Sequence, residues 1–251
     1  MSKINKLFER LSRFFRFLIS DSYKLNNKYQ NKNQITNAEL ILNLLKTKGF
    51  TPKYIIDVGC GYGQWTKKLF KFYPSSNYLL FDADKNNKKK LDILKKNNNM
   101  LDYKICLLSN DNKTYKFYNM GYGSSIFEEQ TSHKREVEEI FSTTLDEEIP
   151  TELKKYSNNL IKLDVQGAEL KILDGLKDSI NLFEVIILEV SLHNYNKNSP
   201  LFNDVIKYMN DKNFKLYDLF DLKRLGSNDS FLVQFDCVFA RNNSELLNVK
   251  F

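Results

Sequence analysis

Asp57-Val58-Gly59-Cys60-Gly61-Tyr62-Gly63-Gln64 decides how this chain is read. Ahead of it lies Tyr54-Ile55-Ile56, an apolar run of the kind that forms a buried parallel strand. Behind it comes Trp65-Thr66-Lys67-Lys68-Leu69-Phe70, which has the apolar spacing of a helix. Strand, glycine turn and helix follow one another. Glycine has no Cβ and adopts positive φ, so such a turn lets backbone approach a ligand closely while the next helix presents free N–H groups. A nucleotide-like ligand is the expected guest.

The spacing narrows the choice. Dinucleotide-binding turns read G-x-G-x-x-G/A, whereas here Gln64 takes the last place and the third glycine comes one residue early, at Gly63. The result, D-x-G-x-G-x-G, resembles the first motif of the Rossmann-like S-adenosylmethionine methyltransferases. That resemblance implies a site for S-adenosyl-L-methionine at Asp57, Gly59, Gly61, Gly63 and Gln64; other nucleotides and a structural turn are the alternatives. Asp82 is an independent mark. It stands 21 residues after Gly61, ending the apolar run Tyr78-Leu79-Leu80-Phe81, where a carboxylate can accept the hydroxyl protons of a ribose. Its plainer reading is a solvated acid in a polar run.

A chain of 251 residues fits one α/β domain with an appendage. Cys60, Cys106 and Cys237 lie far apart in or beside apolar stretches and read as small buried hydrophobes of a reducing compartment. No zinc spacing is present and no metal is expected. Residues 1–50 hold ten Lys/Arg against three Asp/Glu, which is the whole net charge of +7; the remainder balances at 28 of each. A neutral body argues against a nucleic-acid partner, because such enzymes spread basic charge over the active face.

The first 50 residues read as a basic amphipathic helical segment ahead of a Rossmann-like domain expected over 51–251. In it, Ile4, Leu7, Phe8, Leu11, Phe14, Phe15 and Leu18 form one helical stripe. Arg16 interrupts the longest apolar run, so neither a membrane span nor a secretion signal is expected and a cytoplasmic protein is. Residues 1–21 suit either packing on their own domain or a second copy, or peripheral contact with an anionic membrane face or a partner. Ala38 to Lys48 reads as a second helix ending at Gly49.

Farther on, Leu91 to Lys96 reads as a helix and Tyr103 to Leu108 as a strand. Ser109 opens the polar turn after it, a place for an adenine. Tyr115-Lys116-Phe117-Tyr118 alternates like a strand in an insertion over the site, and the charged run Glu128 to Glu139 reads as a solvated helix. Leu201 to Met209 reads as a helix, with Phe214 to Leu219 and Phe231 to Ala240 as an antiparallel closing pair.

Leu160-Ile161-Lys162-Leu163-Asp164-Val165-Gln166-Gly167-Ala168-Glu169 is the second chemically loaded stretch. An apolar strand ends in a carboxylate, a glycine permits a tight turn, and a helix begins. Carboxyl ends of strands in an open α/β sheet face the ligand crevice, which sets Asp164 beside the glycine turn and Asp82. The strand Val185 to Val190 carries Glu189, whose burial demands a partner or a task, with His193 just beyond as an acid–base companion. Glu169 complements its helix dipole. Asp164, Glu189, His193 and Glu169 are the candidate catalytic bases.

Taken together, these stretches resemble the FkbM family of S-adenosylmethionine-dependent methyltransferases. The resemblance runs from about Tyr54 to Arg241. It rests on Asp57 to Gln64, Phe81-Asp82, Leu107-Leu108-Ser109-Asn110, Phe117-Tyr118, Gly123-Ser124-Ser125, Thr144-Leu145-Asp146, Ile161 to Glu169 and Gln234 to Arg241. It implies a Rossmann-like class I fold, a mostly parallel sheet with an antiparallel closing strand, and O-methylation of a hydroxyl on a sugar, glycan or related natural product. Two departures stand out. Asp82-Ala83 replaces a frequent Glu-Pro, and Gln166 replaces a frequent Glu, which removes one negative ligand a metal would use. The rival readings are an RNA or protein methyltransferase and a non-catalytic cofactor-binding scaffold.

Overall fold

The computed structural model describes residues 37–121, 123–194, 196–225 and 230–248; the amphipathic stretch read over residues 1–21 lies outside them. Ile41–Phe251 is one compact unit. It therefore includes ten residues that the sequence assigned to the N-terminal segment. The reason is packing: Leu42, Leu45 and Phe50 are buried, the Tyr73 hydroxyl donates to the Leu42 carbonyl at 3.3 Å, and the Lys48 ammonium to the Leu246 carbonyl at 3.1 Å. These residues belong to helix α1 (Asn37–Thr47) and the turn after it.

Seven strands form the main sheet. In chain order they are β1 (Tyr54–Val58), β2 (Asn77–Asp82), β3 (Leu101–Ile105), β7 (Asn159–Leu163), β8 (Phe183–Ser191), β9 (Phe214–Leu225) and β10 (Phe231–Arg241). They lie side by side as β3-β2-β1-β7-β8-β10-β9. Counted within this sheet alone, the order is 3-2-1-4-5-7-6, with every pairing parallel except those of β10. This is the expected class I Rossmann-like arrangement, and the antiparallel strand is β10, inserted between β8 and β9. Order reverses between β1 and β7, the place where such sheets open a crevice.

The central strands form because both their faces are covered. Ile55, Ile56, Leu80, Leu160, Ile161 and Ile186 are fully buried, which is why these strands read as unbroken apolar runs. Helices α2 (Gln64–Phe72), α3 (Lys88–Lys96), α5 (Glu169–Asp174) and α6 (Phe202–Asp211), with the single turn α4 (Leu145–Glu148), complete the unit. Asn159 staples the start of β7. It accepts from the Tyr54 N–H at 3.1 Å and donates to the Tyr156 and Leu182 carbonyls.

Two expectations change. The stretch Tyr103 to Leu108 divides at Cys106, whose N–H is drawn to the Asp82 carbonyl at 3.0 Å, and β4 (Leu107–Ser109) passes to a second sheet, β4-β6-β5. The charged run Glu128 to Glu139 is no helix. Its end enters β6 (Glu136–Thr144), which pairs antiparallel with β5 (Thr114–Asn119) and parallel with β4. A solvated strand edge carries glutamates as readily as a solvated helix, and here cross-strand pairing supplies the backbone partners.

Gly59 and Gly121 share a φ of +74°, yet a Cβ on Gly59 would sit 2.0 Å from the Asp164 carbonyl oxygen, while one on Gly121 meets nothing within 4 Å. Gly121→Ala should therefore cost only the left-handed penalty of about 1 kcal/mol. Gly59→Ala should cost on the order of 3 kcal/mol or more by forcing β1 from β7. Urea unfolding of the two variants checks the contrast.

Candidate active site

Elementary turn chemistry builds the first wall. Gly59, Gly61 and Gly63 all have positive φ. The N–H groups of Gly59 and Cys60 converge on the Phe81 carbonyl at 2.9 and 3.1 Å, and that of Gly63 bonds the Cys60 carbonyl at 2.8 Å. α2 then starts at Gln64 with neither a capping side chain nor an acid in its first turn. Its N-terminal donors remain available to an anionic group.

A cleft of about 800 Å³ opens over this turn and across the carboxyl ends of β1, β2 and β7. Asp57, Gly59, Gly61, Gln64, Asp82 and Asp164 line it. Other predicted residues stand elsewhere. Gly63 packs under α3, where a Cβ would meet Leu94 Cδ2 at 2.3 Å. Ser109 is fully buried with its hydroxyl toward Asn110 and does not reach the cleft. Glu169 is buried and accepts from the Val165 and Gly167 N–H groups at 3.0 and 3.2 Å, closing its own loop. Glu189 lies behind the cleft wall, bound by Gln166, Gln234 and Lys223. His193 is exposed beyond β8, outside the cleft. The structure thus does not assemble Glu189 and His193 into an acid–base pair at the cleft.

Asp82 holds the turn rather than pointing free. One oxygen accepts from Gly61 N at 2.7 Å, the other from Asp84 N at 2.8 Å and Asn87 Nδ2 at 3.2 Å. A carboxylate has about four acceptor positions, so the Gly61-bound oxygen keeps one for a ligand hydroxyl. Burial raises its pKa against these three donors. Asp84, also buried, lines the cleft beside it.

The far wall is polar and mostly charged, and Lys162, Asp221, Lys223 and Asp236 in it carry no local motif in the sequence. Lys162, Gln166, Asp221, Lys223 and Asp236 line it with Asp164 and Trp65. Lys162 is buried near the carboxyl end of β7, 2.7 Å from Asp164 Oδ2 and 5.4 Å from the Trp65 ring centre. Burial opposes its charge, but Asp164, Asp236 and Asp57 together hold its pKa above the usual lysine value. Burial alone would raise Asp164; Lys162 overcomes this and brings it down to about 2. Asp57 and Asp236 go the other way, pushed up to about 6 by burial in spite of Lys162. The available signal was a lone charge inside each of two apolar runs, Leu160 to Leu163 and Phe231 to Ala240.

The family model for the methyltransferase FkbM domain matches residues 57–216. The chain belongs to the FkbM methyltransferase family. As an FkbM domain it is an S-adenosylmethionine-dependent methyltransferase. No curated protein matches it. Among solved structures it is similar to an S-adenosylmethionine-dependent methyltransferase from Clostridium acetobutylicum ATCC 824, at 9% identity over 94% of this chain and 100% of that one, with a TM-score of 0.47. A 1,6-didemethyltoxoflavin-N1-methyltransferase from Burkholderia thailandensis, bound to S-adenosylhomocysteine, is 10% identical over 94% and 90% of the two chains, with a TM-score of 0.45. Magnesium protoporphyrin IX methyltransferase from Synechocystis PCC 6803, with bound cofactor, is 11% identical over 81% and 77%, with a TM-score of 0.43.

The residues of the FkbM domain fit its cofactor. Gly61 leaves open space where a Cβ would stand, the uncapped start of α2 suits a carboxylate, and Asp82 and Asp84 supply cleft-lining acceptors of the kind a ribose would need. Cys106, Leu107 and Leu108 offer an apolar surface for a base.

Lys162→Met should cost about 3–5 kcal/mol at neutral pH, because it strands buried carboxylates without their cation. In the wild type, Asp164 has a depressed pKa of about 2, so its stabilising effect is complete above the ordinary carboxylate value and fades only as pH falls through about 2. The variant's carboxylates take up protons on mild acidification and lose their repulsion. Urea midpoints should show a smaller wild-type advantage at pH 4.5 than at pH 7.5.

Proposed function

We propose that this FkbM domain methylates a hydroxyl of a sugar, a glycan or a related polyhydroxylated natural product. The observation that carries the reading is the far wall of the cleft. Asp164, Gln166, Asp221 and Asp236 offer acceptors, Lys162 and Lys223 offer donors, and Trp65 adds an aromatic surface. Alternating donors and acceptors suit an acceptor whose surface is mostly hydroxyl. A phosphate-rich acceptor would meet four oxygen-bearing side chains there, three of them carboxylates.

Bound at the glycine turn, S-adenosylmethionine supplies an electrophilic methyl group. The chain's own contribution is positional. Asp82 fixes Gly61, the Gly59 contact fixes the turn against Asp164, and the far wall holds the acceptor oxygen toward the turn, where alignment can lower a barrier by several kcal/mol. Lys162 balances the charge of the carboxylates grouped around it.

The test is transfer of labelled methyl to nucleotide sugars, lipid-linked sugars and oligosaccharides, with RNA and protein as competing acceptors. Saccharide labelling is expected; labelling confined to RNA or protein would overturn this reading, and salt-sensitive binding would accompany RNA. Calorimetry with S-adenosylhomocysteine checks the cofactor half. Asp82→Ala and Gly61→Val should each weaken binding about tenfold or more, a loss of about 1.4 kcal/mol or more.

A further inference from the structure

Among the described residues, Asp236 is the buried cleft carboxylate that accepts no hydrogen bond, although the charge of Lys162 acts on it. Asp57 accepts the Thr66 hydroxyl at 2.5 Å, Asp82 takes three donors, and Asp84 caps the turn at Asn86 N, 2.9 Å away. Half-buried Asp164 is tied to Lys162 and Gln166. Among the described residues, no hydrogen bond reaches the Asp236 carboxylate, although it lines the cleft and is 8% exposed. Burying such a group without a partner is costly, and strand β10 places it there in the middle of Phe235 and Cys237, both core residues. A carboxylate held in this way is available to a ligand.

We propose that Asp236 is the general base that takes the proton from the acceptor hydroxyl. The inference rests on the acceptor's being a hydroxyl compound, as argued above. The acceptor oxygen gives its proton to an Asp236 oxygen as it bonds to the methyl carbon; sulfur keeps the electron pair of the bond that breaks, and the proton then leaves Asp236 for water. Asp164, tied to an ammonium and acidic, is the weaker base and serves to hold Lys162 and the acceptor.

The surroundings of Asp236 set its titration. Lys162 faces it from β7 and Asp164 from beyond that strand's end; Glu189 is its cross-strand neighbour on β8, and Asp221 and Lys223 face it from β9. Burial is the largest influence, Lys162 opposes it, and the neighbouring acids add to it, leaving a carboxyl of about 6. Such a group is mostly ionised at pH 7 yet far more basic than Asp164, which is what Brønsted behaviour favours.

The experiment uses the full chain and whichever acceptor takes label in the panel above. Wild-type kcat should rise as pH increases through about 6 and then level off. Asp236→Asn should lower kcat by about 10² to 10⁴ and abolish that acidic limb, with KM and S-adenosylhomocysteine affinity within about twofold. A variant that keeps wild-type kcat, or the same acidic limb, overturns the assignment. A carboxyl ¹³C titration of aspartate-labelled protein should show two resonances near 6, those of Asp57 and Asp236, of which one vanishes in Asp236→Asn; an Asp236 signal titrating near 4 overturns the assignment without any acceptor. Labelling of RNA alone, by contrast, would defeat the saccharide reading and leave the Asp236 comparison to decide the base.

Discussion

A single buried ammonium holds the chemistry of this molecule together. Lys162 lies on β7, register partner of Asp57 on β1, and faces Asp164, Asp236 and Asp57. Removing any of these charges from water alone costs several kcal/mol. Grouped around one cation, they coexist, but unequally: the carboxylate in direct contact stays ionised down to about 2, while the more distant Asp57 and Asp236 rise to about 6. Environments that separate the pKa values of neighbouring acids also separate their roles. One arrangement thus yields an anchored carboxylate in Asp164 and, in the proposed mechanism, a proton acceptor in Asp236.

The second constraint is a close approach of backbones. Asp164 N donates to the Val58 carbonyl at 3.0 Å, and the space a Gly59 Cβ would fill is taken by the Asp164 carbonyl. The glycine turn and the loop that begins at Asp164 are consequently one seam. Beyond it, Gln166 and Gly167 both have positive φ, a conformation that costs energy for Gln166 and persists only when neighbours impose it. Ser125 Oγ and Asn196 Nδ2 do so, each donating to the Gln166 carbonyl at 2.9 Å, while Glu169 holds the N–H groups on either side. Glu169, expected among the bases, is thereby explained as the support of a strained loop.

How much was legible depended on whether the signal was local. The glycine turn, the strands around it, Asp82 and Asp164 announce themselves in adjacent residues, since period and turn chemistry act over a few positions. Lys162 and Asp236 did not, because a lone charge in an apolar strand has meaning only once its cross-strand neighbours are known. Glu189 and His193 are close in sequence, yet one is buried behind the wall and the other exposed past the strand end. The run from Glu128 to Glu139 misled for a related reason: charge density reports solvent contact, and both helices and edge strands provide it.

The direction of β10 explains why the charged wall of the cleft is where it is. Parallel strands offer a crevice only their carboxyl ends, so β1, β2 and β7 each contribute one or two residues beside the turn. β10 runs the other way. Its pairing of Asp236 with Glu189 and Gln234 with Ser191 brings its amino-terminal half to the carboxyl end of β8, and β9 follows it there with Asp221 and Lys223. An antiparallel hairpin can therefore project mid-strand side chains over a crevice that parallel strands reach only with their tips. The glycine turn is confined to a tight geometry, whereas the hairpin can vary its lining at every second residue, so in the proposed reading the choice of acceptor falls to β9 and β10.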